Sequence, residues 1–425
     1  MKIIKTALVP LFLICCAAFV ALAIYFSLLK TLLFVCCLAV VVLAVYFFLN
    51  WNDYRSIKFA GKNCTNVPDS ELSNKMSGVK VLYIKAGVLY AQKACKIAIS
   101  KDAGKSFQTL ADIPYPYPFR LLKYFAFLRR IARMDIIRTC VTSNGNVVFN
   151  TKGGVYCLKN GDKHAHLVLP TPRPISLGYK PNGIILVGEY ILDKSGRAVK
   201  IFGSTDEGLT WKPVYTFPPK AIRHVHYIDY DKYDDCFWVS TGDSNDESRF
   251  IKFSADLKES EIVLKGSQPV RFFETRAFRD CVFAVTDTGA PNANFIRRID
   301  KKTGTVENIA AVQNTLYFTA AVGDYFIAAT ACQPSSYESN DVQNVHVWAV
   351  NTKNSKARHV GSFGVDLPTK FSYCKYSRKG LFQYANAAFP SGDPMEATRV
   401  MISGTGLPAL GYSTYIWDLS KKLDF

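Results

Sequence analysis

Hydrophobic and polar positions divide the chain into two parts. Residues 1–50 contain no acidic residue, and Lys2, Lys5 and Lys30 are their only charges. The apolar runs beside Lys30, Thr6 to Leu29 and Thr31 to Leu49, are each long enough to cross a bilayer, which takes about 20 residues. From residue 79 onward, short apolar segments instead alternate with turn residues, a pattern that predicts β-strands.

Two topologies fit the first 50 residues. In one, both runs form a transmembrane helical hairpin that turns near Ser27 to Thr31, and Lys2, Lys5 and Arg55 lie in the cytoplasm. In the other, the first run is a signal peptide or signal anchor and the second run remains as an anchor. A hairpin puts the following domain in the cytoplasm, and a single span puts it outside. The hairpin at a bacterial inner membrane is the favoured topology.

Seven β-hairpins are predicted at fairly regular intervals after a juxtamembrane connector at residues 51–78. Their turns contain the Gly, Asn or Asp that tight turns require. This repeat, without a flexible linker, predicts an all-β fold, a β-propeller over residues 79–425 with about seven four-stranded blades, although six or eight also fit. A strand at Ser413 to Leu419 is expected to complete the first blade and close the ring. The hairpins are Val79 to Ala91, Ile136 to Asn150, Ile175 to Val187, Val225 to Ser240, Val270 to Val285, Leu316 to Thr330 and Phe371 to Tyr384.

One segment interrupts this pattern, a predicted helical insertion near residues 119–134. A proline-rich arm, Pro114 to Phe119, leads into it. Helical spacing separates an apolar face from a basic face, which contain Leu121, Phe125, Leu128 and Ala132, and Lys123, Arg130 and Arg133, respectively. The helix either caps the propeller with its charges in solvent or lies on anionic lipid. Nucleic-acid binding is the weakest interpretation.

Two eight-residue segments share the pattern Ser-x-Asp-x-Gly-x-Ser/Thr-aromatic. In such a turn the Ser and Asp side chains bind backbone N–H groups, Gly takes a positive φ, and the aromatic ring fills the space between neighbouring sheets. The pattern therefore predicts a stabilised β-hairpin at each segment. Its residues are Ser100, Asp102, Gly104 and Phe107 in the first segment, and Ser204, Asp206, Gly208 and Trp211 in the second.

On these two segments and the repeat, the chain resembles the sialidase-like, BNR/Asp-box family of β-propellers, as a bacterial, membrane-anchored member. The resemblance implies that the two turns lie away from the ligand face. Active members of the family present an Arg-Ile-Pro motif, an arginine triad and a Tyr/Glu nucleophile pair. Because this sequence has no Arg-Ile-Pro, the resemblance implies an architecture and not a catalytic template.

The densest group of chemically active side chains lies at the ends of neighbouring hairpins. His224 and His226 share one strand face, because side chains alternate along a strand. Equivalent positions of adjacent blades converge around the propeller axis, so residues distant in sequence can share one pocket. The predicted pocket residues are Glu189, Arg223, His224, His226, Asp243, Arg271 and Asp287.

Three interpretations of this group remain open. The histidines can be core residues bound to backbone while the aspartates cap turns. The group can form a pocket for a glycan or a carboxylate, with Arg271 and Arg223 binding the anion. It can also hold a metal through His224, His226 and one carboxylate, although two ligands need a third from elsewhere. A second pair, at His164 and His166, is expected to be exposed.

The net charge and the spacing of the cysteines limit the kinds of ligand and partner that are expected. The formal net charge is +18, which attracts anionic membranes, acidic glycans or polyphosphates. No nucleic-acid-binding module is recognisable, so nucleic acid is not an expected partner. The cysteines after residue 50 lack C-x-x-C spacing, which argues against a cysteine zinc site and fits free thiols in a cytoplasmic domain.

Two functions of different classes fit these residues. In the first, a membrane-anchored propeller binds an acidic or cell-surface glycan through its central face, and hydrolyses it if two carboxyl groups flank the bond at about 5 to 9.5 Å. Asp243, Asp287 and Glu189 are the candidates for these groups. In the second, the propeller is a non-catalytic scaffold that docks a protein partner at the membrane. No cofactor is expected in either case, apart from the alternative metal at His224 and His226.

Overall fold

The computed structural model contains two compact units, Met1–Lys58 with Cys374–Ser377 and Phe59–Tyr373 with Arg378–Phe425. In the first unit the structure describes residues 18, 24–27, 29–31, 33–35, 37–38, 40–51, 55 and 374. In the second it describes residues 66–117, 119–181, 183–192, 195–288, 293–333, 341, 343–373, 380–396 and 398–425.

In the first unit, helix α1 spans Ile24–Trp51 and is long and apolar enough to cross a membrane. A signal sequence has the same properties, so the length and composition of α1 fit a membrane anchor and a signal sequence alike. The turn predicted near Ser27 to Thr31 is wrong, because the described residues there are helical and the Thr31 hydroxyl donates to the Ser27 carbonyl oxygen at 2.9 Å. No Gly or Pro interrupts the helix at this point. The first arm of the predicted hairpin lies outside the described residues, apart from Ala18 and the start of α1.

In the second unit, antiparallel sheets follow one another along the sequence. Alternating buried and exposed positions with many β-branched and aromatic residues favour such strands. Six groups of four strands are β2–β5 (Val79–Lys85, Val88–Lys93, Lys96–Ser100, Gln108–Asp112), β6–β9 (Arg138–Val141, Val147–Thr151, Gly154–Leu158, His166–Pro170), β10–β13 (Gly178–Tyr179, Ile185–Gly188, Val199–Ser204, Lys212–Phe217), β14–β17 (His224–Asp231, Cys236–Gly242, Arg249–Ser254, Ser260–Lys265), β18–β21 (Phe272–Ala277, Cys281–Thr286, Asn294–Asp300, Val306–Val312) and β22–β25 (Leu316–Val322, Tyr325–Cys332, Asn344–Asn351, Ala357–Gly364).

The last group of strands joins the two ends of this unit. It consists of β1 (Leu72–Met76), β26 (Ala385–Ala388), β28 (Arg399–Thr405) and β29 (Thr414–Asp418), and β26 also pairs with β23. A short strand, β27 (Ser391–Gly392), runs parallel to β2. β1 pairs with β29, with Leu72 opposite Trp417. The N-terminal strand therefore completes the last sheet, whereas the sequence predicts that the C-terminal strand completes the first; both pairings cover sheet edges.

The predicted hairpins agree with the structure in six cases, β2–β3, β6–β7, β10–β11, β14–β15, β18–β19 and β22–β23. The seventh, Phe371 to Tyr384, is wrong where the structure describes it, because helix α4 (Leu367–Phe371) ends at its first residue and residues 372–374 and 380–384 form no strand. Its residues 375–379 lie outside the described residues. Asp366 caps this helix by accepting a hydrogen bond from the Thr369 N–H. Such an N-cap stabilises the helix over the strand that apolar content alone favours.

Apolar side chains fill the spaces between neighbouring sheets. Trp238 stacks on Phe250 at 4.8 Å between ring centroids, and Phe250 meets Phe272 of the next sheet edge-on at 5.3 Å. All three rings are fully buried. The first strands of successive sheets also contact one another, β14 with β18 and β18 with β22. This arrangement is that of a β-propeller, with the first strands nearest the axis.

The propeller has two ends, which we name by the direction of the first strand of each sheet. The entry face is the end at which they begin, for example at His224 of β14 and Phe272 of β18. The hairpin face is the opposite end, where they turn into the second strands, for example after Asp231 and Ala277. Both ends carry charged side chains, so each is a candidate ligand surface.

Two short helices replace the single helix that the sequence predicts for the insertion. α2 spans Phe119–Leu122 and α3 spans Ala126–Ala132, and Phe125 between them is extended. The predicted faces are wrong. The basic side chains of Lys123, Arg129 and Arg130 are buried, and they pair with Asp112, Asp135 and Asp366, respectively. The exposed large apolar side chains are those of Tyr117, Leu121, Tyr124, Phe125 and Phe127. Ion pairs with the propeller therefore orient this segment together with apolar contacts of Phe119, Leu122 and Ala132.

Both Ser-x-Asp turns make the hydrogen bonds that the sequence predicts. The Asp206 carboxylate accepts from the Thr210 N–H at 2.9 Å, and the Ser204 hydroxyl accepts from the Gly208 N–H at 2.9 Å. Asp102 and Ser100 accept from the Ser106 and Gly104 N–H groups in the same way. Trp211 packs against apolar residues of β6–β9 and β10–β13, and Phe107 packs against the cluster that contains Met76.

Gly208→Ala is expected to lower the free energy of unfolding by about 2–5 kcal/mol. Gly208 has φ +87°, and a Cβ there would lie 2.3 Å from Val148 Cγ2. Gly161 also has φ +87° but meets nothing within 4 Å, so Gly161→Ala isolates the backbone strain, about 1–2 kcal/mol. Denaturant unfolding of the detergent-solubilised chain, followed by tryptophan fluorescence, compares the two. Equal losses would mean that Val148 moves aside without cost.

Candidate functional site

The pocket residues predicted from the sequence gather at the entry face around the start of β14. His224 lies opposite Gly242, the last residue of β15, and the register shifts between Val225 and Tyr227. This bulge at His226 is of the kind that redirects side chains near functional sites. Gly242 leaves space for the His226 imidazole ring, because a Cβ at residue 242 would lie 2.7 Å from His226 Cε1. Both imidazoles can therefore enter the same space.

The two imidazoles face each other and are buried. Their Nε2 atoms are 3.1 Å apart. His224 Nδ1 lies 3.0 Å from the Ile191 carbonyl oxygen, and His226 Nδ1 lies 2.9 Å from the Phe272 carbonyl oxygen. The Tyr190 ring stacks on His224 at 4.0 Å between centroids. Burial lowers the pKa of His226, which favours its neutral form.

Asp243 is the centre of the charged part of the site. Its Oδ1 lies 3.3 Å from His224 Nε2 and 2.8 Å from Arg271 Nη2, and its Oδ2 lies 2.8 Å from Arg223 Nη1. The Arg223 and Arg271 guanidinium groups at these distances stabilise the charged form of the Asp243 carboxylate. Asp243 is therefore an ionised acceptor and is unsuited to act as a general acid.

Arg271 joins Asp243 to Asp287. Its Nη2 atom is 2.8 Å from Asp243 Oδ1 and 3.0 Å from Asp287 Oδ2. Burial lowers the pKa of Arg271, but the two carboxylates more than compensate and raise it above its ordinary value. Two carboxylates that share one nitrogen are near enough for the spacing of about 5 Å found in retaining glycosidases. The charge of Arg271 is already matched inside the protein.

Glu189 is turned away from this group. Its carboxylate pairs with Arg197 at 3.2 Å and accepts from the Lys200 N–H at 2.7 Å, and its backbone carbonyl accepts from the Val225 N–H. These contacts fix the end of β11 to β12 and to the next blade. A catalytic role for Glu189 stays a prediction, and its observed contacts are structural. His164 and His166 are exposed, as expected.

Three half-buried cations lie at the entry face. Arg133 was predicted only as part of the basic face of the insertion helix, and Lys152 and Arg173 were not singled out from the sequence. Arg133 follows α3, Lys152 follows β7 and Arg173 precedes β10. Burial lowers the pKa of Arg133 and of Lys152, and the charge of Arg173 lowers both further. Among the described residues, no carboxylate forms an ion pair with any of the three. The Nη1 atom of Arg133 and the Nε atom of Arg173 are buried, and neither has a hydrogen-bond partner among the described residues.

The backbone of one of these cations is unusual. Arg173 has φ 41°, a region that non-glycine residues occupy at a cost and that recurs at ligand sites. The φ of 53° at Arg133 is that of the left-handed C-cap residue that ends α3. A sequence signal exists in retrospect, because Arg133, Arg173, Arg223 and Arg271 each come shortly before a first strand, β6, β10, β14 and β18, respectively. The repeat thus presents one arginine per blade at the same end of four blades.

Tyrosine rings line the same face. Tyr384 has the Arg133 guanidinium 5.2 Å from its ring centroid. Tyr317 stacks on Phe273 at 4.3 Å and its hydroxyl donates to Gln333. Burial, followed by the charges of Asp243 and Asp287, raises the pKa of Tyr190, so its hydroxyl keeps its hydrogen and remains a donor.

The hairpin face has a separate cavity of about 1230 Å³ that Arg138, Tyr227, Asp229 and Arg276 help to line. Asp229 accepts from the Ala277 N–H at 3.0 Å, and its other oxygen lies 3.5 Å from Arg276 Nη1. Burial raises the pKa of Asp229 to about 7 although Arg276 lowers it. This carboxyl group therefore titrates near neutral pH.

The free energy of unfolding is expected to depend on the titration of Asp229. In the unfolded chain its pKa is near 3.8, and in the folded protein it is about 7. Between these values the folded state holds a proton that the unfolded state has lost. The Asp229 contribution to the free energy of unfolding therefore falls as pH rises, by up to about 1.4 kcal/mol per pH unit. Asp229→Asn removes this contribution, so its stability relative to wild type should increase from pH 4 to pH 7.

Urea unfolding at pH 4.5, 6 and 7.5 measures this difference, with Asp280→Asn at the exposed hairpin between β18 and β19 as the control. The control should differ from wild type by a constant amount. A constant difference for Asp229→Asn as well would contradict the prediction.

Two groups of described residues could hold a metal ion, His224 with His226 and Asp243, and Asp231 with Asp234 and Cys236. In the second group, Lys301 Nζ lies 2.5 Å from Asp231 and 3.6 Å from Asp234. An ammonium group already supplies the positive charge there. The first group has two neutral nitrogen donors and a carboxylate, a donor set that zinc binds.

No protein-family model matches the chain, and no curated protein matches it. Solved structures do. The GH74 enzyme of Niastella koreensis is 13% identical over 84% of this chain and 54% of its own, with a TM-score of 0.50. An ancestral GH74 enzyme is 12% identical over 82% of this chain and 45% of its own, with a TM-score of 0.49.

A third solved structure, described as the extracellular domain of a one component system from B. thetaiotaomicron, is 10% identical over 83% of this chain, with a TM-score of 0.48. This chain spans only 39% of its length. Identities this low show the fold alone. The chain therefore has a propeller-type fold like that of the GH74 enzyme of Niastella koreensis.

Proposed function

We propose that the protein is a membrane-anchored propeller of seven blades that binds an acidic saccharide at its entry face. The observation that carries this proposal is the group of three cations, Arg133, Lys152 and Arg173, that no described carboxylate pairs with. Guanidinium groups bind carboxylates with strong, charge-assisted hydrogen bonds. Arg173 also has a costly backbone conformation, with φ 41°, which favours a ligand role.

The rest of the entry face suits a saccharide. Tyr190, Tyr317 and Tyr384 offer flat rings for the apolar faces of sugar units, and Asp287 offers a half-buried oxygen for hydroxyl groups. Ligand pockets typically combine aromatic walls with a few placed polar groups. A compact inorganic anion would use the cations and leave the tyrosines without a role.

Binding without cleavage is the version that the geometry supports better. Asp243 and Asp287 are close enough to act as a pair, but both contact Arg271. Arg223 and Arg271 stabilise the charged form of Asp243, which leaves the pair without one candidate general acid, because a general acid needs a raised pKa. Glu189 pairs with Arg197. Hydrolysis would need these contacts to rearrange when the substrate binds.

Calorimetric titration of the detergent-solubilised chain with matched oligosaccharides tests the proposal. One set contains uronic or sialic acid units, and the other contains the same oligosaccharides with each carboxylate converted to an amide. We expect binding of the acidic set alone. Equal affinity for both sets, or binding of neither, would contradict the proposal. Chromatography of the acidic set after incubation detects any hydrolysis.

A second candidate function is a scaffold that docks a protein partner at the membrane. It is favoured by the exposed apolar residues of the insertion, where Leu121 is 65% and Tyr124 is 70% exposed. Exposed apolar patches on soluble surfaces commonly mark interaction sites. Lys123, Arg129 and Arg130 are held inward by Asp112, Asp135 and Asp366. The outward face is therefore mostly apolar, with Arg120 as an exposed charge.

A polarity-sensitive fluorophore at Leu121→Cys, in proteoliposomes, separates the occupants of this surface. The matched control is Ile262→Cys, an exposed apolar position on β17. The native cysteines must first be replaced, because Cys37 is exposed and would react with the fluorophore as well. A scaffold predicts no quenching by lipids with quenchers in their tails. Quenching at Leu121→Cys alone would place this segment at the bilayer and remove the support for protein docking.

A further inference from the structure

We infer that His224, His226 and Asp243 form a binding site for one zinc-like transition-metal ion. The inference does not depend on which ligand the entry face binds. It starts from the hydrogen positions on the two imidazoles. Each Nδ1 atom lies at hydrogen-bond distance from a backbone carbonyl oxygen, Ile191 for His224 and Phe272 for His226. A carbonyl oxygen only accepts, so each Nδ1 carries the ring hydrogen.

With the ring hydrogen of each imidazole on Nδ1, the two Nε2 atoms present lone pairs to each other at 3.1 Å. Asp243 Oδ1, a third acceptor, lies 3.3 Å from the Nε2 of His224 and 3.7 Å from that of His226. Three acceptors in mutual contact repel one another unless a cation lies between them. Both imidazoles are about 1% exposed, so bulk water does not relieve this repulsion.

The spacing of the three atoms is that of a metal site. A tetrahedral zinc ion with bonds of about 2.0–2.1 Å places its ligand atoms about 3.3–3.4 Å apart. The observed separations of 3.1, 3.3 and 3.7 Å bracket this value. Three protein ligands leave one position of a tetrahedral ion for water or for a ligand of the entry face.

The surrounding contacts are those that support ligating residues. Metal-bound histidines typically donate their other ring N–H to a carbonyl or carboxylate, which fixes tautomer and orientation, and both histidines have this contact here. Arg223 and Arg271 hold the Asp243 carboxylate in place. Gly242 leaves the space that the His226 ring occupies. A shared proton between the two Nε2 atoms is the competing arrangement, and it predicts no metal affinity.

Zinc titration of the metal-stripped chain in detergent, against a chromophoric chelator that reports free zinc, measures the affinity. We expect one tight site per chain, weakened at least 100-fold by His226→Gln and at least 10-fold by Asp243→Asn. The control is the double variant His164→Gln with His166→Gln, which removes an exposed histidine pair of the same spacing and should leave the tight site unchanged.

Cobalt substitution of the wild-type chain gives a readout that does not depend on variants that fold poorly. A four-coordinate site with nitrogen and oxygen ligands gives cobalt an intense visible absorption, which a six-coordinate surface site lacks. We expect this spectrum at one equivalent of cobalt and its loss when zinc is added. The inference is overturned if the wild-type chain binds no zinc at micromolar free concentration, if cobalt stays six-coordinate, or if the control variant loses the site as well.

Discussion

Glu274→Gln is expected to lower the free energy of unfolding by about 3–5 kcal/mol, because breaking a buried ion pair leaves its partners uncompensated. Glu274 lies on β18 with no exposed surface. Its carboxylate lies 2.7 Å from Arg138 and 2.6 Å from Arg276, and it accepts from the Thr319 hydroxyl at 3.0 Å. The variant leaves two guanidinium groups near the propeller axis with one negative charge fewer.

Denaturant unfolding of the detergent-solubilised chain measures this loss, with Glu261→Gln as the control. Glu261 is exposed on the outer strand β17, and its variant should change the free energy of unfolding by less than about 0.5 kcal/mol. Adding Arg138→Met to Glu274→Gln should recover part of the loss, because it removes one of the unmatched charges. A double variant less stable than Glu274→Gln would contradict the electrostatic explanation.

Arg173→Asn is expected to weaken the binding of an acidic saccharide by about 10- to 100-fold, which corresponds to about 1.5–3 kcal/mol for a charge-assisted hydrogen bond. Stability should stay the same or rise. The reason is that Arg173 has φ 41°, where asparagine is far better tolerated than arginine. Loss of binding without loss of stability would distinguish a ligand-binding residue from a structural one.

The control for this second experiment is Arg279→Asn. Arg279 lines the cavity of the hairpin face, so its variant lowers the net charge by the same amount at the other end of the propeller. Calorimetric titration and thermal unfolding of both variants complete the comparison. If Arg279→Asn weakens binding as much as Arg173→Asn does, the long-range field of the chain, and not the entry face, attracts the anion.

The strands were predictable from the sequence because their signals are local. Alternating apolar positions and turn residues identify hairpins such as β14–β15, and the Ser-x-Asp turns require residues only a few positions apart. The pairing of β1 with β29 was not predictable in this way. Leu72 and Trp417 meet only because the ring closes, and nothing in either segment specifies its partner.

The candidate site was predictable in part. Equivalent hairpin ends correctly suggested that His224, His226, Asp243, Arg271 and Asp287 come together. The same reasoning did not show that Arg271 is matched by two carboxylates, because an ion pair depends on side-chain positions and not on periodicity.

The insertion shows a related failure. Helical periodicity puts Leu121 and Phe125 on the buried side, yet Arg130 is buried in their place because Asp366 and Thr369 receive it. Those partners lie more than two hundred positions further along the chain. Amphipathic patterns predict burial only when the surface that covers them is apolar.

Ring closure has a consequence for synthesis of the chain. β1 leaves the ribosome before every other strand of the propeller, but its partner β29 leaves last. Contacts so distant in sequence form slowly and late. Until Thr414–Asp418 is made, β28 keeps an open edge that other chains can pair with. A chain released before that point therefore keeps this edge exposed and remains aggregation-prone.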